Sequence, residues 1–104
     1  MIKSEAQIQA EIMVAVSQAG HKIFRTNAGS VRTADGRNIK LMPKGFPDCA
    51  GWHKDTGQFF AIEVKNERGR LREDQKQFAK FAETQPILYG VARSASDALK
   101  ILKQ

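Results

Sequence analysis

The chain has 104 residues, a formal charge of +6 and a pI near 9.8, which suits one domain over residues 1–104 with a single moderate core and an acidic partner. Nucleic acid is the first candidate for that partner and an anionic membrane the second. No run approaches a membrane span, and Glu5 and Glu11 stand where a signal peptide would be apolar, so a soluble, cytoplasmic protein is expected.

Ser4 followed by Gln7 fits a capping box, and Ile8, Ile12, Ala15, Val16 and Ala19 form one helical stripe that stops at Gly20. Glu11 falls at the margin of that stripe, where it either leans inward or stays on a solvated flank. His21 to Asn27 reads as a strand with Ile23 inward and Phe24 on the other face.

Ala28 to Phe46 holds Gly29, Gly36, Pro43 and Gly45 and few apolar residues, which predicts a long loop; Asp35-Gly36 is a turn signal for a short hairpin within it. From His21 to Pro47, six basic residues (Lys22, Arg25, Arg32, Arg37, Lys40, Lys44) face one acidic residue, Asp35, so this stretch carries +5 of the chain's +6. Such a concentration reads as a substrate-facing arm. Arg25, Asn27, Arg32, Arg37, Lys40 and Lys44 are its candidate phosphate contacts, against the plainer reading of solvated side chains.

Asp48 to His53 and Gln58 to Lys65 are strands joined by the turn-forming Lys54-Asp55-Thr56-Gly57, an antiparallel hairpin that sets Asp48 beside Glu63. Side chains alternate along a strand, so Glu63 and Lys65 share a face. An unpaired carboxylate on an otherwise apolar strand is expensive, which makes sense if a cation or a reaction partner meets it. Cys49, the single cysteine, has no disulfide partner in the chain and reads as a small core residue; Trp52 and the phenylalanines are expected in the core, His21 and His53 at strand ends on the surface.

After a polar loop, a helix over about Leu71 to Thr84 has the inward stripe Leu71, Gln75, Phe78, Ala82. Gln75 needs hydrogen-bond partners there, either core backbone or a polar site beside the sheet. Pro86 ends the helix, Ile87 to Ala92 makes a strand parallel to the previous one, and Ser94 with Asp97 caps a last helix.

Pro47-Asp48, the hairpin and Glu63-Val64-Lys65 resemble the PD-(D/E)xK nuclease signature. More narrowly, Gly45-Phe46-Pro47-Asp48, Ala61-Ile62-Glu63-Val64-Lys65, Gly69-Arg70-Leu71 and Asp74-Gln75 resemble the VRR-Nuc (virus-type replication-repair nuclease) family, in its small stand-alone type, from Glu11 to about Ser96. The resemblance implies an α/β fold: a restriction-endonuclease-like αβββαβ core with a mixed sheet flanked by helices, plus the C-terminal helix. It also implies a structure-selective DNA endonuclease using Mg2+ or Mn2+, similar to Holliday junction resolvases that act as homodimers on four-way junctions.

On that resemblance the chemistry belongs to Asp48, Glu63, Lys65, Glu11 and Gln75. Asp48, Glu63 and the backbone carbonyl of Val64 would hold the metal, and Glu11 would support its ligands or hold a second ion. Gln75 would orient Lys65 or the attacking water. Lys65 would act on that water or neutralise the phosphate in the transition state, and the residue types leave both roles open. The dimer surface is expected on the hairpin around Trp52 and Phe60. The competing reading is a non-catalytic basic DNA-binding module or accessory subunit on a nuclease-like fold.

Overall fold

The computed structural model describes residues 2–27, 30–40 and 42–103, with backbone alone at 30, 31 and 40. The elements run α1 (Glu5–Gln18), β1 (Lys22–Arg25), β2 (Ser30–Arg32), β3 (Asn38–Lys40), β4 (Cys49–Trp52), β5 (Phe59–Val64), α2 (Glu73–Ala82), β6 (Leu88–Ala92) and α3 (Ala95–Ile101). No helix among the described residues is long and apolar enough to cross a membrane.

The main sheet has the order β1-β4-β5-β6. β1 and β4 pair antiparallel, as do β4 and β5, whereas β5 and β6 pair parallel. The restriction-endonuclease-like expectation of a mixed sheet between helices, with a further C-terminal helix, is met. The Asp35-Gly36 turn does close a hairpin: Thr33 N donates to Arg37 O at 2.7 Å and Gly36 takes a φ of 87°, while β2 and β3 form their own two-stranded sheet.

Alternation along the strands divides the sheet into two unlike faces. Ile23, Cys49, Phe60, Ile62, Val64 and Leu88 point to one side, where Ile8, Ile12 and Val16 of α1 and Ala98, Ile101 and Leu102 at α3 complete the core. Ser4 begins α1 as expected, accepting from Gln7 N through its hydroxyl. Cys49 is fully buried, and burial pushes its thiol up to about 11.

The opposite face carries Phe24, Ala50, Trp52, Phe59, Ala61, Glu63, Tyr89 and Val91 by the same alternation. α2 covers the β6 half of it, with Phe78 packed between Phe46 and Tyr89. The β1 and β4 half is uncovered. Phe24 is therefore 48 % exposed, Trp52 50 % and Phe59 41 %. This corrects the expectation of a core place for Trp52, Phe24, Phe59 and Phe81, whereas Phe60 meets it and, being wholly inside, is removed from any interface.

α2 begins at Glu73, two residues later than its stripe suggests, because Gln75 Oε1 accepts the Arg72 backbone N–H and makes Arg72 the capping position. Gly45, at φ 92°, lies so close to α2 that a Cβ there would stand 2.8 Å from the Asp74 carbonyl oxygen. The Gly-Phe-Pro-Asp segment thus reaches β4 by passing against the start of α2.

Candidate active site

The β4–β5 register pairs Cys49 with Ile62, which sets Asp48 opposite Glu63. Asp48 sits just before β4, and its Oδ2 accepts the Val64 backbone N–H at 2.8 Å. The carboxylate is thereby locked against the end of β5. Glu63 is 1 % exposed, Lys65 5 % and Gln75 4 %, the three buried polar side chains among the described residues.

Gln75 has found the polar site beside the sheet. Its Nε2 donates to Glu63 Oε1 at 3.0 Å, while Oε2 of Glu63 is buried with no partner among the described residues. Burial first, and then the adjoining Asp48 carboxylate, push the Glu63 carboxyl up to about 9. Lys65 and Arg72 oppose that rise without cancelling it.

Two carboxyl groups line one polar cleft, one of them with an orphaned buried oxygen, a set of oxygen donors whose chemistry would fit a small hard cation. Among the described residues no group of three or more His, Cys, Asp or Glu converges on one point.

α1 reaches this cleft with different residues from the one expected. Glu11 is turned away: Lys3 Nζ donates to its two carboxylate oxygens at 2.9 and 3.0 Å on the outer flank of the helix. Glu5 and Gln9 line the cleft instead, together with Asn27, Phe46, Asp48, Glu63, Lys65, Arg72 and Gln75. The helical repeat accounts for this, since Gln9 follows Glu5 by about one turn whereas Glu11 points to the side roughly opposite Gln9. Gln9 Nε2 donates to the Asp48 carbonyl oxygen at 3.3 Å, tying α1 to the first carboxylate.

The loop after β5 is held just as closely. Arg93 Nη1 donates to the carbonyl oxygens of Asn66 at 2.6 Å and Gly69 at 2.7 Å, closing the turn that follows Lys65. Gly69 leaves room where a Cβ would stand 2.9 Å from Glu5 Oε2 and 3.1 Å from Lys65 Cδ.

The basic arm is less uniform than its sequence. Arg25, Arg32, Arg37 and Lys44 are exposed, but Arg37 Nε pairs with Asp35 Oδ2 at 3.0 Å, so its charge is answered locally. Asn27, at a left-handed φ of 51°, lines the cleft itself. The Lys40 side chain lies outside the described residues. Arg72 is the cleft's additional cation, hidden in the sequence as the residue that precedes a helix.

Compared with known families, residues 4–96 match the VRR-NUC domain. Comparison with curated proteins and with solved structures gives no significant match.

Proposed function

The chain belongs to the VRR-NUC family of nucleases, and on that footing we propose that it is a divalent-metal-dependent DNA endonuclease. The observation that carries the reading is the Asp48–Glu63 pair. The two carboxyl groups lie opposite each other in the β4–β5 register, one fixed by the Val64 N–H and the other with a buried oxygen left over, which supports oxygen ligation of Mg2+ or Mn2+.

Asp48 and Glu63 would hold the ion, with the Val64 carbonyl as a third oxygen. When bound, such an ion supplies Lewis-acid charge and a nucleophilic water at neutral pH. Asp48 is positioned for this by the Val64 N–H, and Glu63 by Gln75. Lys65, on the same strand face as Glu63, either takes part in proton removal from the attacking water or offsets charge on the phosphate. Glu5 and Gln9 replace Glu11 as the contribution of α1: Gln9 steadies Asp48 through its backbone, and Glu5 stands beside Lys65 across Gly69. Arg25, Asn27, Arg32, Lys44 and Arg72 would meet phosphates on either side of the cut, with Arg37 and Lys40 following along the hairpin.

The finer reading is branched DNA, with four-way junctions resolved by a homodimer. The described residues of one chain form one Asp48–Glu63 cleft, and a two-fold pair would present two of them to two strands. A cleavage panel of four-way junction, flap, fork and linear duplex with magnesium or manganese, run beside Glu63→Ala, tests both levels. Metal-dependent cuts abolished by Glu63→Ala are expected, with branched substrates preferred. Intact DNA across the panel would leave a non-catalytic DNA-binding module, and cleavage by a species that sediments as a monomer would remove the homodimer.

A further inference from the structure

Three aromatic side chains stand uncovered on the sheet face that also bears the Asp48–Glu63 pair. Phe24 and Trp52 meet with ring centroids 5.9 Å apart, and Trp52 is the direct cross-strand partner of Phe59. Lys22 Nζ lies 5.0 Å from the Phe24 ring centre, so the patch includes a cation. Trp52 is four residues from Asp48 along one chain direction and Phe59 four from Glu63, which places the aromatics about 13 Å from the carboxylates at a strand's rise. The two features share one continuous face with only Ala50 and Ala61 between them in the strands.

We infer that this face is a stacking platform for the bases of an unpaired DNA strand leading into or out of the cleft. Aromatic rings on an open sheet accept any base by its π-face, and a neighbouring lysine answers the backbone charge. The occupant follows from charge and continuity. A polyanion entering a cleft lined by Lys65 and Arg72 runs on along the same face, where Lys22 waits for it. A second copy would bring another +6 chain, and another Lys22, against the first.

The inference rests on the nuclease reading for the position of the cut, and it narrows the substrate to DNA with single-stranded character next to that cut. A chain with a single tryptophan allows the test to be made without cleavage. The 104-residue chain in EDTA is titrated with an oligothymidine and with a blunt duplex of equal length while Trp52 emission is followed. Saturable quenching by the oligothymidine, weaker with duplex, is expected.

Binding of a dye-labelled oligothymidine, read by anisotropy, should then weaken by about tenfold or more in Trp52→Ala and in Phe24→Ala, and be largely restored in Trp52→Phe. Unchanged emission, equal quenching by duplex, or unaltered affinity in both alanine variants would overturn the platform. So would a concentration-dependent dimer that Trp52→Ala dissociates while oligothymidine affinity stays the same, which would give the face to a second copy. Loss of metal-dependent cleavage in the wild-type panel, with quenching intact, would instead strike the nuclease reading alone.

Discussion

Gln75 links the start of α2 to β5 by both ends of its amide: Nε2 donates to Glu63 Oε1 at 3.0 Å, and Oε1 accepts the Arg72 N–H at 2.9 Å. Gln75→Ala frees the Glu63 carboxylate to rotate and leaves the α2 cap unmade. Loss of such an orienting partner reduces activity or metal affinity about 10- to 100-fold. The expected result is a higher magnesium requirement together with a lower kcat, measured by cleavage against magnesium concentration. Unchanged magnesium dependence would mean that Gln75 serves the helix alone.

The raised Glu63 carboxyl makes stability depend on pH. The folded, metal-free protein keeps this proton up to about 9, whereas an ordinary carboxyl releases it near 4.5. Between those values the unfolded chain binds fewer protons, so stability falls as pH rises and levels off above the folded value. In EDTA the melting temperature should drop across that window, with a shallower drop in Glu63→Gln. Magnesium should raise it most at the alkaline end, where Glu63 is ionised. Thermal melts at about pH 5, 7 and 9 give the sign directly, and a melting temperature in EDTA that climbs with pH would contradict the arrangement.

Asp48 has two tasks that substitution can separate. Asp48→Ala removes the carboxylate proposed to face the metal and leaves the Val64 N–H without its acceptor, which should cost about 1–3 kcal/mol of stability as well as activity. Asp48→Asn keeps an acceptor for that N–H. Urea unfolding should place the asparagine variant close to wild type, while its cleavage is lost as fully as in the alanine variant.

Arg93 holds the turn after Lys65 by two carbonyl oxygens. Arg93→Ala should lower kcat with little change in KM for DNA, and cost about 1–2 kcal/mol of stability because the clamp is exposed. Gly69→Ala would push on Glu5 and Lys65 directly and should reduce kcat further. Equal losses in KM and kcat would point instead to a phosphate contact by Arg93.

Cys49 should be inert. Its side chain is fully buried and its thiol pushed up to about 11, so a thiol-exchange reagent should label it only at the rate of unfolding. Rapid labelling of the native protein would show that β4 opens locally.

The central elements of the site were legible because they depend on local geometry. Glu63 and Lys65 share a face by strand alternation, and Gln75 is conspicuous as an amide in an apolar helical stripe. Glu5 was not legible in the same way. It follows the Ser4 cap, where an acid is explained by the helix dipole alone, and its approach to Lys65 depends on the orientation of α1 over the sheet. Glu11 has the more suggestive position beside the apolar stripe, yet its side chain finds Lys3. The exposed aromatics were hidden for a related reason: Phe24, Trp52 and Phe59 have strand-core identities, and only the limited reach of α2 leaves them uncovered.

β5 lies between β4 and β6, with the Val64 amide further occupied by Asp48 and the Lys65 amide bonded to the Ala92 carbonyl oxygen at 3.1 Å. Amides so enclosed exchange with solvent only through global opening, unlike those of the separate β2–β3 ribbon. The centre of the site is therefore carried by the part of the fold least able to yield. If DNA is the substrate as proposed, the distortion that brings a phosphate into line would fall on the nucleic acid, so the ease with which a DNA bends or opens at the cut should govern how fast it is cleaved.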